Sequence, residues 1–551
     1  MTSLIKYTLT NKLAFFLFLF ATCFYIYNAL SSYAPIFYED QFIHIDFIRD
    51  LVAHKFNLKN FFSVFGEHLF PGYSIFVAIN YFLFSINLYF ESTLTVIFNL
   101  ASASIAYYFY RKLNPKTNNI FLFPIFFILL SPAQYLMKSM ALAANLSVIL
   151  FIAIFYLILK SRKILSTYSL LFIYIIGFAG AYSVGFIVAY AFYLLICFKE
   201  SDSLKKIDWP MTTFILACFL LYYFILYWKG NGQAVSAHTL NFFKSLDFGI
   251  IMFGSSILGK ALYEATQNFA IYYIAGLMVI AASSASLYYS FIQLTKLHTN
   301  ELSIENKDSV FILLLALVVV YSITIISVAS YARFTNGNEL AMGQWYQHHI
   351  KFLPVFSLIL LGYFHPQKIT IKLFALALTA LAITGYYYEY RKIPYAKQWY
   401  QSINSHIPDY LTLHPNYSDP GAYSYFYWPN DWTKEGLQFF YKNKLAYFKE
   451  PLIFGLTSDG WNEENKLFQV VCPNDSKSVI INITKTNILN YKYFNSHFNP
   501  KISDENIIIK YKFQDVEFKT FEINNKNLTP FPESNADKRK LYFHVGNVLC
   551  S

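Results

Sequence analysis

Charged residues are scarce in this chain. Asp, Glu, Lys and Arg make up 14% of its 551 residues, whereas soluble proteins carry roughly 25%. Hydrophobic residues make up 56%, and the mean hydropathy is +0.37. Apolar runs such as residues 13–30 and 310–329 are long enough to cross a bilayer as helices, which takes about 20 residues. The shortage of charge argues against a soluble protein, and we expect a polytopic α-helical membrane protein.

A cleavage site is also missing. No small-residue motif follows the first apolar run, which is longer than the apolar core of a signal peptide. Lys6 and Lys12 flank the run, as expected for an uncleaved anchor. Long apolar runs stop in the last part of the chain. The sequence therefore predicts a transmembrane domain over residues 1–390, with a first external loop at 33–92, and a soluble extracytoplasmic domain over residues 391–551.

Basic residues exceed acidic ones, and the formal net charge is +11. Excess Lys and Arg mark cytoplasmic loops in polytopic proteins, so we take the charge as a sign of topology and not of nucleic-acid binding. The basic clusters between apolar runs lie at residues 110–116, 160–163, 198–206, 295–307 and 365–368. With these clusters inside, about eleven spans can be threaded, beginning inside and ending outside. The predicted spans cover residues 12–32, 93–111, 119–134, 142–160, 164–182, 184–198, 211–229, 269–293, 309–329, 351–364 and 369–388.

The apolar stretch at residues 71–90 does not fit this threading. As a full span it would move all of the basic clusters to the outside, against the positive-inside rule. We therefore expect a helix that lies in, or dips into, the outer interface.

The last part of the chain has the pattern of strands. Residues 478–485, 507–513, 516–523 and 540–545 alternate apolar and polar side chains with period two, which is typical of β-strands. One helix is expected at residues 434–448, within a small, mostly β domain. Cys472 and Cys550 lie in this domain, and the sequence leaves open whether they form a disulfide.

An acidic segment directly follows the first span. Its ionisable acidic and His side chains are Glu39, Asp40, His44, Asp46 and Asp50. A carboxylate held at the outer mouth of a helix bundle can have a raised pKa and act as a general base. Alternatively, the segment is an amphipathic helix that lies on the membrane with its charges in water.

A second polar segment stands at the far end of the same loop. Glu67 and His68 precede a Pro-Gly turn and place two polar groups at the entry of the apolar stretch. Alternatively, this segment is a simple interfacial turn.

Together the two segments resemble the GT-C superfamily of membrane glycosyltransferases. These include protein O-mannosyltransferases, lipid A aminoarabinose transferases and catalytic subunits of oligosaccharyltransferases. The similar features are an acidic pair after the first span, a loop of about thirty residues and a His–Pro-type entry to an interfacial helix. Bacterial relatives carry Glu-His-Arg at this entry, whereas this chain has Glu67-His68-Leu69. The resemblance covers the transmembrane domain as an architecture and is specific only at residues 37–51 and 66–73.

The resemblance implies a sugar donor carried on a polyprenyl phosphate. It also implies that one acid of the pair is the catalytic base or positions the acceptor. The pair here is Glu39-Asp40, where relatives have Asp-Asp or Asp-Glu. We predict Asp40 as the base, with Glu39 as the alternative. The substrate-binding residues predicted in this loop are His44, Glu67 and His68.

A third outward segment, residues 331–356, carries positive charge before a late span. Relatives have a Gly-rich loop and an Arg-Tyr pair there, thought to hold the lipid phosphate, which an Arg can bind bidentately. The loosely matching residues are Arg333, Gly337 and Tyr346, and the nearby residues that could add positive charge are His348, His349 and Lys351. Alternatively, this basic loop meets lipid headgroups.

Neither a metal nor a cofactor is predicted. Lys138, which we include among the substrate-binding residues, lies in a short turn that often holds an acidic residue in the superfamily. No acid is present in this turn. His and carboxylates of the first loop could bind a divalent ion, but their spacing is not a recognised ligand set.

The sequence therefore predicts an inverting hexosyltransferase of the bacterial inner membrane. Its partners would be a polyprenyl-phosphate-linked sugar, a glycan or glycolipid acceptor such as O-antigen, and the lipid bilayer. One alternative is a polysaccharide polymerase or ligase, which usually lacks an acidic pair after span one. Another is a transporter, which would carry charged residues inside its spans. The predicted spans are nearly free of such residues, and the closest cases are Glu91 and Lys372 near span ends.

Overall fold

A computed structural model defines the fold of most of the chain. The residues that it describes are 2–32, 39–62, 64–65, 68–69, 71–113, 119–131, 139–159, 165–199, 208–228, 241–296, 307–411, 430–457, 459–464, 466–487, 489–503, 506–514, 516, 518–530 and 540–551. The chain forms two compact units. Unit 1 comprises residues 1–33, 46–79 and 89–397, and unit 2 comprises residues 34–45, 80–88 and 398–551.

Helices dominate the described residues before the C-terminal region. The α-helices in chain order are α1 Thr2–Ser32, α2 Ile45–Val52, α3 Leu58–Phe61, α4 Pro71–Phe84, α5 Phe90–Leu113, α6 Ser139–Leu159, α7 Leu165–Phe172, α8 Ser183–Lys199, α9 Trp209–Trp228, α10 Phe242–Leu258, α11 Ala261–Thr266, α12 Ala270–Lys296, α13 Lys307–Arg333, α14 Gln344–Ile350, α15 Phe352–Phe364, α16 Ile369–Asn404, α17 Ile407–Leu411, α18 Asn430–Lys442 and α19 Asn490–Phe498. Two segments are π-helices, Ile125–Leu129 and Ile173–Ala179. The 3-10 helices are Glu39–His44, Asn119–Leu122, Gly180–Tyr182, Phe334–Asn336, Asn338–Met342, Ala446–Lys449 and Asn525–Asn527.

The membrane class predicted from the composition is confirmed in its coarse form. Within the described ranges, six helical segments are long and apolar enough to cross a membrane: Lys12–Ser31, Phe90–Leu113, Trp209–Trp228, Ala270–Thr295, Asp308–Arg333 and Ile369–Asn404. The segment in α13 is the most enclosed, because 83% of its most apolar window is buried. It packs against α6, α8, α10, α12 and α15, so α13 is the central helix of unit 1.

Two apolar stretches outside the predicted spans are also helical. The stretch expected to form an interfacial helix contains α4, whose 14 residues are fewer than the roughly 20 that a perpendicular span needs. Ser85 and Ile86 follow it with positive φ angles of 47° and 60° and turn the chain toward α5. The other stretch is α10, which lies within a segment that the sequence analysis placed outside the membrane.

The α10 helix packs closely against α12 through two glycines. A Cβ on Gly254 would lie 2.1 Å from the carbonyl oxygen of Tyr272, and a Cβ on Gly276 would lie 2.1 Å from the carbonyl oxygen of Ile250. Each glycine therefore faces the backbone of the opposite helix. Small residues allow such backbone contact in membrane helix pairs, where dispersion replaces the hydrophobic effect as the driving force.

Unit 2 contains the β region. Its strands are β3 Leu452–Phe454, β4 Trp461–Glu463, β5 Phe468–Val471, β6 Ser478–Thr486, β7 Lys501–Ser503, β8 Asn506–Lys512, β9 Thr520–Ile523 and β10 Leu541–Cys550. They form a five-stranded sheet in the order β4-β10-β6-β8-β7 and a three-stranded sheet in the order β3-β5-β9, both antiparallel. In unit 1, a short ladder pairs β1 Val64–Phe65 with β2 His68–Leu69.

The period-two pattern of the sequence marks the buried face of the larger sheet. Along β6, Val479, Ile481 and Ile483 point inward while the residues between them are only half-buried. Phe543 on β10 and Phe494 on α19 join the same core. A disulfide joins Cys472 to Cys550, which answers the question that the sequence left open. It closes a loop of 78 residues and ties the end of β10 to the chain that follows β5.

Replacing either packing glycine should destabilise unit 1. We expect Gly254→Ala and Gly276→Ala each to lower stability by about 1–3 kcal/mol, because the added methyl group pushes two backbones apart. Thermal unfolding of the full-length protein in detergent measures the effect. Ala281→Leu is the control, since Ala281 lies on the exposed face of α12. An unchanged melting temperature for both glycine variants would contradict this packing.

Candidate functional site

Unit 1 contains a small, partly open cavity with a volume of about 30 Å³. Ionisable side chains from separate helices line it together with apolar ones. The lining residues are Phe127, Ile128, Ser131, Ser256, Ile257, Gly259, Lys260, Gln347, His348, Lys351 and Glu389. Two lysines, a histidine and a glutamate thus share one space in a unit that is otherwise strongly apolar. Ionisable groups at such positions are costly in a membrane protein and usually functional.

Lys351 is the most deeply buried cation of the cavity, with a relative exposure of 1%. It stands at the junction of α14 and α15. Its ammonium donates hydrogen bonds to the side-chain oxygens of Asn99 on α5 and Asn145 on α6, the latter at 3.0 Å. Both acceptors are neutral amides, so these two bonds fix the position of the Lys351 nitrogen and add no negative charge beside it.

Asn99 is itself held in place from two sides. Its amide nitrogen lies 2.9 Å from the hydroxyl of Tyr25 on α1 and 2.9 Å from the carbonyl oxygen of Leu129 in a π-helix. A side-chain amide has one acceptor and two donor hydrogens, and Asn99 uses both kinds of group. Its orientation is consequently fixed, with the oxygen toward Lys351.

Glu389 supplies the acidic side of the cavity from α16, and it is 2% exposed. Its Oε1 accepts hydrogen bonds from the backbone N–H groups of Lys260, at 3.0 Å, and Ala261, at 2.9 Å. Gly259 makes this approach possible, because a Cβ there would lie 2.5 Å from Oε1, and its φ of +67° suits glycine. Among the described atoms, Oε2 has no hydrogen-bond partner. The carboxylate is therefore anchored by one oxygen and presents the other.

Two neighbouring histidines on α14 have different environments. His349 Nδ1 lies 2.8 Å from the hydroxyl of Tyr321, and its ring centroid lies 4.1 Å from that of Tyr182. His348 lines the cavity instead, is fully buried, and has no hydrogen-bond partner for either ring nitrogen in the part of the chain that is described. His349 is thus part of the helix packing, whereas His348 is available to a ligand.

Lys260 lies where the cavity meets more exposed surface, since its side chain is 37% exposed. Glu264, one turn along the chain, lies 3.4 Å from its ammonium and also forms an ion pair with Lys392 of α16. Exposed pairs of this kind contribute little to stability. Lys260 therefore remains a cation that a ligand entering the cavity would pass.

Comparison with family models, with curated proteins and with solved structures finds no match for this chain. The function must therefore be argued from the residues of the cavity and of the predicted loop.

The structure brings one predicted site residue, His348, into the cavity. Tyr346 and His349 are buried on the same helix, and Arg333 is the last residue of α13. Within the described ranges, none of these three lines the cavity. The cation at its centre is Lys351, which the sequence analysis named only as a neighbour of the histidines.

The structure does not describe the side chains of the predicted acidic pair, Glu39 and Asp40. Glu39 and Asp40 begin a 3-10 helix, and only their backbone is described. The same holds for His68 in β2, while Glu67 and Lys138 lie wholly outside the described residues. Two other acids of the first loop have local partners in unit 1. Asp46 pairs with Arg49 at 2.9 Å, and Asp50 accepts a hydrogen bond from Asn60 at 2.7 Å.

Several residues of the cavity were missed in the sequence. Glu389 follows the predicted last span by one residue, and Lys260 lies in the middle of a segment to which no role was given. Asn99 and Asn145 lie within predicted spans, where a polar side chain was a usable signal. A second usable signal was an acidic residue next to the end of an apolar run, as at Glu389.

His44 is the predicted site residue with the clearest environment in unit 2. It ends the 3-10 helix Glu39–His44 and is 4% exposed. Burial lowers its pKa from the ordinary 6.5 to about 3, because an imidazolium would lose its hydration. His44 is therefore neutral in the folded protein at neutral and mildly acidic pH.

The pKa of His44 predicts acid sensitivity. Between pH 6.5 and about 3 the unfolded chain binds a proton that the folded chain does not, so stability falls as the pH falls, by up to roughly 5 kcal/mol at the acid limit. Thermal unfolding of the full-length protein from pH 7 to pH 4 measures this slope. His44→Gln should flatten it, whereas His497→Gln, at an exposed position of unit 2, should not. Equal slopes in all three proteins would contradict the role of His44.

Proposed function

We propose that this chain is a GT-C-type glycosyltransferase of a bacterial inner membrane. It moves one sugar from a polyprenyl-phosphate carrier to a surface glycan or glycolipid on the extracytoplasmic face. The observation that supports the proposal most directly is the cavity of unit 1, where Lys351, His348 and Lys260 line one space. A lipid-linked phosphate needs basic groups and hydrogen-bond donors close to its oxygens. The two lysines supply the basic groups, and His348 supplies a donor as a neutral imidazole.

The proposal includes the full topology predicted from charge. About eleven spans begin in the cytoplasm and place the C-terminal domain outside. The helix α4 lies at the outer interface. In this arrangement the first loop and the segment that contains α14 share the extracytoplasmic side, where a lipid-linked donor and a surface acceptor can meet.

The proposed reaction is a single displacement with inversion. The acceptor hydroxyl oxygen attacks the anomeric carbon of the sugar, and the bond from that carbon to the phosphate oxygen breaks. Its electron pair leaves with the polyprenyl phosphate, whose charge Lys351 offsets. The resemblance assigns the hydroxyl proton to Asp40, or to Glu39 as the alternative, and assigns Arg333 to the phosphate.

A transporter is the second candidate function. Glu389 is a buried acid within a helix apolar enough to span the membrane, and such residues also mark ion and proton pathways. Reconstitution into vesicles distinguishes the two functions, because a transporter moves its solute across a sealed bilayer without chemical change. Solute flux without sugar transfer would favour the transporter.

Loss of Lys351 should abolish sugar transfer in cells. In the source organism lacking the gene, the wild-type chain should restore one sugar to the surface glycan, seen by mass spectrometry. Lys351→Met should reduce this sugar at least tenfold, because the departing phosphate loses its cation. Lys244→Met, at an exposed site on α10, is the control, and His348→Gln is a second cavity variant.

Immunoblotting of membranes checks that all variants accumulate equally. An identical surface glycan with and without the wild-type protein would overturn the proposed function.

The disulfide provides a test of the proposed export of the C-terminal domain. Cytoplasmic thiols stay reduced, whereas exported pairs oxidise, so Cys472 and Cys550 should be inaccessible to a thiol reagent in protein denatured without reductant. Cys23, Cys197 and Cys218 are free, and mass-tagging should therefore count three thiols before reduction and five after it. Cys472→Ser should release Cys550 and give four. Five tags without reductant would place the domain in the cytoplasm.

A further inference from the structure

The cavity contains a carboxylate oxygen without a hydrogen-bond partner in the part of the chain that the structure describes. Two backbone N–H groups hold Glu389 Oε1, whereas Oε2 has no partner among the described atoms. Both oxygens belong to Glu389, which is only 2% exposed. Buried polar atoms are almost always hydrogen-bonded, and an exception needs an explanation. A ligand that donates a hydrogen bond to Oε2 supplies one.

His348 also has buried polar atoms without a hydrogen-bond partner among the described residues. It is fully buried, and neither Nδ1 nor Nε2 has a described partner. A neutral imidazole has one donor and one acceptor nitrogen, so His348 can bind a hydroxyl or an oxyanion. His348 and Glu389 come from α14 and α16, and both line the cavity.

These groups define the chemistry of the ligand. Glu389 Oε2 can accept a hydrogen bond from a donor such as a hydroxyl, and His348 can bind the same hydroxyl through a ring nitrogen. An acceptor hydroxyl therefore suits both residues.

We propose that Glu389 is the general base of the transfer and that its Oε2 contacts the attacking hydroxyl of the acceptor. This inference rests on the proposed function. The O–H bond of the acceptor breaks as its oxygen bonds to the anomeric carbon, and the proton moves to Oε2. The bond to the phosphate oxygen breaks at the same time, and polyprenyl phosphate leaves beside Lys351. Glu389 then releases the proton to solvent.

The anchoring of Oε1 is consistent with this role. Two donors on one oxygen fix the plane of the carboxylate before the acceptor arrives, so little reorganisation accompanies proton transfer. His348 can also bind the hydroxyl, because it lines the same cavity and neither ring nitrogen has a partner among the described residues.

Glu389→Gln tests the inference with little change in shape. The amide oxygen can still accept the two backbone N–H groups, so the fold should be kept, but the amide cannot take up a proton. Transfer is measured in membranes of the source organism, to which radiolabelled lipid-linked sugars extracted from the same organism are added. The radiolabel that appears in the surface glycan gives the rate. We expect at least a 100-fold slower transfer and loss of the acid limb of the pH–rate profile. Binding of farnesyl phosphate to the purified protein should be unchanged.

Two comparison variants make the result specific. Glu339→Gln, at an exposed glutamate of unit 1, should transfer at the wild-type rate. Asp40→Asn should retain the acid limb. An acid limb that persists in Glu389→Gln, or one that disappears in Asp40→Asn, would overturn the assignment of Glu389 while leaving the proposed function in place. Absence of any transfer by the wild-type protein would overturn both.

Discussion

Unit 1 depends on the burial of one ammonium group. Lys351 can lie in an apolar helix bundle only because Asn99 and Asn145 accept its hydrogen bonds, since an unpaired charge there would cost several kcal/mol. Asn99 in turn binds Tyr25 and the carbonyl oxygen of Leu129. Lys351 therefore links α5 and α6 to the start of α15 directly, and Asn99 extends this network to α1 and a π-helix.

The position of Lys351 also bears on the other residues of the cavity. His348 precedes Lys351 by three residues and thus lies about one helical turn away on a similar face. On the far side, the turn at Gly259 brings the N–H groups of Lys260 and Ala261 to Glu389. A glycine is required at that turn because any side chain would occupy the space of the carboxylate. Hydrogen bonds between separate helices thus hold the polar residues in and around the cavity.

Local patterns in the sequence were sufficient for the elements but not for the cavity. The strands β6, β8 and β10 follow from period-two alternation, and the membrane class follows from apolar runs, because both signals lie within one segment. Lys351 and Asn99 are separated by 252 residues, so no local pattern could pair them. The predicted last span ended at residue 388 because the hydropathy falls there, yet Glu389 remains buried through its contact with a distant turn.

The burial of Glu389 is also the strongest reason to look for chemistry in unit 1. A glutamine at this position would accept the same two backbone hydrogen bonds without the cost of placing an ionisable group in an apolar environment. Packing alone therefore gives no reason for a carboxylic acid. The same argument applies to His348, since an apolar side chain would fill its place without leaving two ring nitrogens unsatisfied. Glu389 and His348 are therefore the two side chains of this cavity that the described packing does not explain.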